Sequence, residues 1–123
     1  MDLNQFIKDN RKSFPKYFKA KEIKKYHKKG QLYTIDFIGT MVGFYVMEEE
    51  KMKNLYIIKS LRSNSNMLLE QVFKDIKSMV DYCTIAVNER SSKVRKLALR
   101  NDFVPTDTWV QGKYHKLRLY AWS

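Results

Sequence analysis

Two short apolar runs joined by one amphipathic helix constrain the fold of this chain more than any other sequence feature. The first run covers residues 54–59 and the second covers residues 82–87, and apolar residues recur at helical spacing over residues 67–80 between them. Two strands joined by a crossover helix form a parallel pair with a right-handed connection. The sequence therefore predicts a sheet that contains one parallel β-α-β unit.

Segments of alternating polarity on both sides of this unit predict antiparallel hairpins. Residues 31–47 alternate around Gly39, and residues 103–122 alternate around Gly112. Residues 48–53 are rich in Glu and Lys and predict a polar turn before the first parallel strand. The chain therefore begins and ends its sheet with antiparallel strands.

A polar loop at residues 62–66 and a last helix complete the pattern. Ser91 or Ser92 can cap this helix, in which Val94, Leu97 and Ala98 would face inward. The expected fold class is α/β (α+β), with a mixed, mostly antiparallel central sheet, one parallel pair and helices on both faces.

The first 30 residues predict a basic helical segment. A first amphipathic helix ends near Pro15 and a second ends at Gly30. The segment contains ten Lys or Arg residues and three acidic residues, within a chain of net charge +11. Since 123 residues is the size of one domain, we expect a single domain, 1–123, with a helical part at 1–30 and a sheet core at 31–123. The charge suits an anionic partner, such as nucleic acid, an acidic protein or cofactor phosphates, or a solvated surface.

Several classes of protein are disfavoured by what the sequence lacks. A single cysteine, Cys83, cannot form an internal disulfide, and the chain start does not resemble a secretory leader. No apolar run approaches the roughly 20 residues of a membrane span. One Cys and two His residues at no recognisable spacing predict no metal site. We expect a cytoplasmic protein without a membrane contact, in which Cys83 is a buried thiol.

The order of elements and two local stretches resemble the GNAT superfamily of N-acetyltransferases, from about Gly30 to the end. Residues 55–68 look like the family's fourth strand running into its Q/R-x-x-G-x-G/A loop. Residues 91–103 look like its last helix, which typically ends in a Gly-Phe pair where this chain has Asp102 and Phe103. The chain looks most like the short, degenerate members that phages encode.

This resemblance implies that acetyl-CoA is the co-substrate and that no metal is needed. The family binds the pantetheine arm along the main chain of the fourth strand and the pyrophosphate at the following helix N-terminus. The family's glycines are replaced here by Ser65 and Met67. The cofactor-binding residues that the resemblance implies are Ile57, Ile58, Lys59, Arg62, Ser63, Asn64, Ser65, Asn66, Met67, Ser91 and Arg95.

The resemblance also implies direct attack of an amine on the thioester, without a covalent enzyme intermediate. The tyrosine that the family carries in its last helix corresponds to Ala98, and the asparagine at the start of that helix corresponds to Ser91 or Asn88. The acid would then be another tyrosine and the base a glutamate. The candidates are Tyr33, Tyr45, Tyr56 and Tyr114 for the acid and Glu48 or Glu49 for the base, with Tyr56, Glu48 and Tyr114 selected.

Two functions follow from the resemblance and the charge. The first is an N-acetyltransferase that moves acetyl from acetyl-CoA to an amine of a protein (a lysine or the N-terminus) or of a small molecule. The second is an inactive GNAT-fold interaction protein that binds nucleic acid or a structural partner such as a phage particle. Trp109 and Trp122 could line an acceptor groove or a subunit contact. We expect a monomer or homodimer, acting in the cytoplasm of a host cell or in a virion.

Overall fold

The computed structural model describes residues 2–16, 18–64, 66–112 and 115–123, without the side chains of residues 62–64. The chain divides into two compact units, the first made of residues 1–48 and 54–64 and the second of residues 49–53 and 65–123. The described helices are α1 (Leu3–Asn10), α2 (Ala20–Lys28), α3 (Asn66–Met79) and α4 (Ser92–Arg100), with 3-10 helices at Arg11–Ser13 and Lys59–Asn64. The described strands are β1 (Leu32–Phe37), β2 (Thr40–Glu48), β3 (Lys51–Ile57), β4 (Cys83–Val87), β5 (Val104–Gln111) and β6 (Lys116–Trp122).

The six strands form one sheet in the order β1-β2-β3-β4-β6-β5. The pairs β1–β2, β4–β6 and β5–β6 are antiparallel, and β3 and β4 are parallel. In the described residues, the register of β3 and β4 pairs Lys51 with Thr84. Next to this pair, the Thr84 N–H donates a 2.9 Å hydrogen bond to the Glu50 carbonyl. This arrangement confirms the predicted fold class.

The N-terminal helices of the first unit begin and end for local reasons. The Asp2 side chain accepts a 2.8 Å hydrogen bond from the Gln5 N–H and so caps α1. After the 3-10 turn, Phe14 is extended because a residue that precedes proline, here Pro15, disfavours helical geometry. Gly30, at φ 72, follows α2 and lets the chain turn into β1.

Aromatic rings dominate the core of the first unit. Phe6 of α1 contacts the ring of Phe44 at a centroid distance of 6.0 Å, and Phe14 contacts Tyr56 at 4.7 Å. Gly43 lies so close to β3 that an added Cβ would collide with the Tyr56 carbonyl oxygen. The first unit therefore packs α1 and α2 against β2 and the second half of β3.

The second unit packs α3 and α4 around a separate set of buried residues. Phe73 of α3 contacts Phe103 at 5.2 Å, and Ile76, Val87 and Ala98 are almost wholly buried. The prediction that Met67 belongs to the apolar face of α3 is wrong, because its side chain is 61% exposed in the first helical turn.

The turn between β2 and β3 differs from the sequence-based expectation. Residues 48–53 were expected to form one polar turn, but the turn consists of Glu49 and Glu50, and β3 already begins at Lys51. Both turn residues have positive φ, 50 and 65°, as the tight two-residue turn of a hairpin requires. The first hairpin turns in the same way at Ile38 and Gly39, with φ 51 and 76°. Polar composition alone therefore overestimated the length of the turn.

Helix α4 ends in a left-handed residue. Asp102 has φ 70°, its N–H donates to the Leu99 carbonyl, and the Phe103 N–H donates to the Ala98 carbonyl. These two bonds form a Schellman motif, in which glycine is the usual left-handed residue. Asp102 therefore has the left-handed conformation that the glycine of a Gly-Phe helix end would adopt.

None of the helices in the described ranges has both the length and the apolar content that a bilayer-spanning helix requires.

Candidate functional site

A carboxylate at the end of β4 is the centre of a polar cluster in the second unit. Glu89 follows β4 by two residues, and its Oε1 accepts a 2.9 Å hydrogen bond from the Tyr120 hydroxyl and a 3.3 Å bond from Arg118. The β4–β6 register pairs Val87 with Arg118 and Ile85 with Tyr120, so both donors lie beside the last residues of β4. The antiparallel pairing thus brings together groups that are about 30 residues apart in the chain.

The Arg118 side chain holds this cluster to the β5–β6 hairpin. Its Nε donates a 2.7 Å hydrogen bond to the Thr106 carbonyl, and its guanidinium carbon lies 5.2 Å from the centre of the Trp109 ring. A guanidinium over an aromatic face gains a cation–π attraction, which is stronger where water is partly excluded. The Arg118 and Glu89 side chains are both 28% exposed, so their ion pair is shielded only in part.

A cleft of about 440 Å³ opens beside this cluster. Its lining residues are Asn88, Glu89, Arg90, Trp109, His115 and Lys116. Glu89 is the acidic residue among these six, and the Trp109 ring, 48% exposed, forms an apolar wall. The cleft therefore combines a fixed carboxylate with an aromatic surface, and Arg90 and Lys116 add positive charge to its lining.

The turn between β4 and α4 fixes the backbone around Glu89. The Asn88 Oδ1 accepts a 3.0 Å hydrogen bond from the Arg90 N–H, and the Ser91 N–H donates to the Asn88 carbonyl at 2.9 Å. Arg95 reaches back from α4 to the Glu89 carbonyl at 3.4 Å. These bonds hold Glu89 in place from its own main chain as well as from its side chain.

Two groups of the second unit have raised pKa values. Burial raises the pKa of the Tyr120 hydroxyl, and its hydrogen bond to the Glu89 carboxylate raises the pKa further, because an ionised phenolate could not donate it. Burial also raises the pKa of the Cys83 thiol to about 11. Both groups therefore stay protonated near neutral pH.

The predicted pantetheine-binding residues 57–59 lie at the end of β3, in the first unit. Ile57 is buried, Ile58 is half-buried and Lys59 begins a 3-10 helix. The Ile58 N–H donates a 3.0 Å hydrogen bond to the Val42 carbonyl, and the Ile58 carbonyl accepts from the Leu61 N–H. The N–H of Ile58 is therefore not available to a ligand.

The predicted phosphate loop is partly described. The backbone of residues 59–64 forms a 3-10 helix, where a tight polar loop was expected at residues 62–66. The side chains of Arg62, Ser63 and Asn64 lie outside the described part of the structure, as does all of Ser65. Asn66 and Met67 begin α3 with exposed side chains, and the first turn of α3 contains no acidic residue. The start of α3 thus has the polarity that suits an anion.

The predicted cofactor residues of α4 lie in the second unit. Ser91 is the N-cap of α4 by position, although its side chain makes no capping hydrogen bond. Arg95 is half-buried and bonded to the Glu89 carbonyl, as described above. Ala98, where the family has its tyrosine, is fully buried in the core.

No described contact joins the three residues predicted for catalysis. Tyr56 lies in the aromatic core of the first unit and is 3% exposed. Glu48 ends β2 with a half-buried side chain, and Tyr114 lies outside the described residues. Their catalytic roles remain predictions.

Sequence reasoning did not find the cluster of Glu89, Arg118 and Tyr120. One signal was present, since Arg118 and Tyr120 are two residues apart on a predicted strand and so share a face. The link to Glu89 depends on the β4–β6 register, which alternation within either strand cannot specify. Among the described residues, no group of three or more His, Cys, Asp or Glu side chains is placed to hold a metal ion.

Comparison with known proteins gives matches in structure. No protein-family model matches the chain. No curated protein matches it in sequence. A chimera of spermidine N-acetyltransferase SpeG from Vibrio cholerae and hSSAT is 12% identical, with a TM-score of 0.69 over 98% of this chain and 92% of the chimera. Ard1 from Thermoplasma volcanium is 13% identical, with a TM-score of 0.64 over 91% of this chain and 84% of Ard1.

The apo form of YjaB from Escherichia coli is a further similar structure. It is 20% identical with a TM-score of 0.53, and the match covers 73% of this chain and 61% of YjaB. The chain thus spans about three fifths of YjaB but nearly the full length of the SpeG chimera. Identities this low show a shared fold. A probable acetyltransferase from Staphylococcus epidermidis and a GNAT family acetyltransferase from Streptococcus pneumoniae match in the same way. The chain therefore has the fold of the GNAT acetyltransferases.

Proposed function

We propose that this protein is an N-acetyltransferase that uses acetyl-CoA to acetylate an amine. The observation that supports this most is the GNAT fold itself, which extends over 98% of the chain in the comparison with the SpeG chimera. A fold hosts more than one function, so the proposal also requires a site with suitable chemistry. The cleft beside Glu89 is that site in our proposal.

The chain offers groups that fit the anionic parts of CoA. The first turns of α3 and α4 contain no acidic residue, so the first turn of neither helix repels a phosphate. We propose that the main chain at Asn66 and Met67 holds the pyrophosphate, with Arg95 and Ser91 beside α4 as further contacts. Residues 57–65, which the resemblance implies as cofactor-binding, stay a sequence-based prediction.

We assign the role of general base to Glu89. Bound acetyl-CoA supplies an activated thioester, and transfer forms a bond from the amine nitrogen to the acetyl carbon while the carbon–sulfur bond breaks. The acceptor must lose a proton for this, and the carboxylate of Glu89, which faces the cleft, can take it directly or through one water. Arg118 orients this carboxylate through their 3.3 Å ion pair. The thiolate must gain a proton, for which Tyr56 and Tyr114 stay the sequence-based candidates and Glu48 stays an alternative base.

The acceptor is a primary amine in this proposal. SpeG is named as a spermidine N-acetyltransferase. The cleft here contains one carboxylate and an exposed Trp109 ring, which together suit one ammonium group with an apolar stem. A lysine side chain, a protein N-terminus or a small amine would fit this description. The cytoplasmic site of action, the phage-type origin and the monomeric or dimeric state are further parts of the proposal.

A second candidate is an inactive GNAT-fold interaction protein. The observation that favours it is Ala98, which is 0% exposed and offers no hydroxyl at the family's tyrosine position. In that case acetyl-CoA would bind weakly or not at all, and the basic surface would supply the function.

Thermal unfolding with and without acetyl-CoA tests the first proposal. Ligand at 100 times its dissociation constant should add about 2.7 kcal/mol to the stability of the folded state. No shift at millimolar acetyl-CoA would contradict the proposal and favour the second candidate. Release of CoA in the presence of a panel of amines then measures turnover.

The variant Glu89→Gln tests the assigned base. We expect turnover to fall roughly 100-fold or more, with the thermal shift by acetyl-CoA retained. The matched control is Glu70→Gln, which removes a carboxylate that pairs with Arg100 at 2.9 Å on the outer side of α3 and does not line the cleft. Equal turnover in both variants would show that Glu89 is not the base.

A further inference from the structure

Helix α2 presents a stripe of lysines on the side opposite its buried face. Lys21, Lys24, Lys25 and Lys28 are all exposed. At about 100° per residue, they lie within an arc of roughly 100°. Ile23, at 0% exposure, lies on the opposite side and packs into the core of the first unit. Burial of Ile23 therefore fixes the lysines in a direction that faces solvent.

A basic cleft continues this stripe at the N-terminal end of α2. It has a volume of about 520 Å³ and is lined by Phe14, Phe18 and four cationic residues, Arg11, Lys16, Lys19 and Lys21. No acidic residue contributes to the described lining. In the described part of the chain none of the four cations forms an ion pair, so their charge is not neutralised locally.

The nearby carboxylates offset only part of this charge. Asp2 and Asp9 each accept a 2.8 Å hydrogen bond from Gln5. Glu22 is the acidic residue in the first turn of α2. All ten Lys and Arg residues of the first 30 positions are exposed. The N-terminal segment thus forms a surface whose positive charge exceeds its negative charge by seven, ten less three.

The burial of the apolar side chains in this segment indicates which kind of polyanion the segment can bind. Leu3, Phe6, Ile7, Phe18 and Ile23 are all buried, and in residues 2–16 and 18–29 no large apolar side chain is exposed. Insertion into a lipid surface needs an exposed apolar face, and a protein partner needs aromatic or apolar anchors. Binding of single strands relies on exposed aromatic rings for stacking, whereas Phe14 in the cleft is half-buried and Phe18 is buried. A duplex backbone requires cations alone, because phosphates supply the main attraction.

We propose that the lysine stripe of α2 and the adjoining cleft bind the phosphate backbone of a nucleic acid duplex, without sequence specificity. Lys21 to Lys28 spans about 10 Å of helix, which is the length of roughly three phosphates of one strand at 3.4 Å each. With the cleft included, we expect about four to five phosphate contacts. This binding is independent of acetyl transfer and involves only residues of the first unit.

Fluorescence anisotropy with a short labelled duplex tests the proposal. The slope of log K against log salt concentration should be about −4, since each phosphate contact contributes about −0.9. In the double variant Lys24→Gln with Lys28→Gln, the magnitude of the slope should fall by about 2 and binding should weaken at every sequence tested. The absence of duplex binding at low salt would overturn the proposal.

A control double variant distinguishes binding by this surface from an effect of the protein's net charge. Lys74→Gln with Lys96→Gln removes the same charge from exposed positions of α3 and α4 and should leave the slope unchanged. An equal loss in both double variants would mean that overall charge is responsible, and the proposal would fail. Tighter binding of a single strand or of a poly-glutamate peptide would also refute it. The thermal shift with acetyl-CoA, measured on the same variants, reports the acetyl-CoA site separately.

Discussion

The Tyr120 hydroxyl donates a 2.9 Å hydrogen bond to the carboxylate of Glu89, a residue 31 positions earlier in the chain. Tyr120 is 1% exposed, so this bond ties a buried ring in β6 to the wall of the cleft. The bond limits the orientations that the Glu89 side chain can adopt. Burial, and then this bond, raises the pKa of the Tyr120 hydroxyl above its ordinary value.

The substitution Tyr120→Phe should destabilise the fold by about 1–2 kcal/mol, because a hydrogen bond to a charged acceptor is lost from a buried position. Urea unfolding at neutral pH measures this loss. In the proposed enzyme, turnover should also fall, because Glu89 would be oriented by Arg118 alone. A variant with unchanged stability would show that the bond contributes nothing.

The same variant should alter the dependence of stability on pH. Burial, and then the bond to Glu89, raises the pKa of Tyr120 in the folded state, so the folded protein binds this proton more tightly than the unfolded chain does. This contribution is fully present below the ordinary phenol pKa of about 10 and is lost as pH rises through the raised folded value. The difference between wild type and Tyr120→Phe should therefore shrink above about pH 10. A constant difference would contradict the stated pKa direction.

The buried thiol of Cys83 should react slowly while the protein is folded. Its pKa of about 11 leaves almost no thiolate at neutral pH, and the side chain is 0% exposed. Modification by a chromogenic disulfide should therefore proceed at the rate of unfolding and become complete in urea. Because the folded pKa is raised, the thiol's contribution to stability should be lost between about pH 9 and about pH 11. Rapid, complete modification under native conditions would contradict this.

The substitution Ile38→Asn should stabilise the protein by about 1 kcal/mol or more, because a β-branched residue in left-handed geometry is strained. Ile38 has φ 51° at the tip of the first hairpin and is 87% exposed, so it gains little from burial. The variant creates an Asn-Gly turn with Gly39, which suits this conformation. Thermal unfolding measures the gain, and the control Ile38→Val, which keeps the β-branch, should show none.

A comparison of Asp102→Gly with Asp102→Ala should isolate the left-handed end of α4. Both variants lose the 2.8 Å ion pair with Lys77, so this pair cancels in the comparison. Glycine accepts φ 70° freely, whereas alanine pays about 1 kcal/mol. The glycine variant should therefore be the more stable by this amount in urea unfolding. Equal stabilities would mean that the helix end rearranges.

Much of the fold was predictable because local periodicity determines it. The helical spacing of Leu69, Val72, Phe73 and Ile76 places α3 correctly, and the apolar run of residues 82–87 places β4 within one residue. The two-residue turn at Glu49 and Glu50 was not recognised, since its residues are not those that usually adopt positive φ. The exposure of Met67 was missed because periodicity does not say where an apolar face ends.

The candidate site was less predictable than the fold. Residues 57–67 and Ala98 could be aligned with the GNAT pattern from the sequence, because they occupy fixed places in the order of elements. The hydrogen bonds of Glu89 to Arg118 and Tyr120 were not accessible in this way, because they depend on the pairing of β4 with β6.

By itself the sequence determined the order of helices and strands, the GNAT-like architecture and the excess of positive charge in the first 30 residues. Local propensity, apolar periodicity and composition are properties of neighbouring residues, so they can be read without a structure. Only the tertiary structure decided that Glu89 is held by Tyr120 and Arg118, and that the lysines of α2 share one solvent-facing side opposite Ile23. Strand register and burial join distant parts of the chain, and that is why a linear pattern could not supply them.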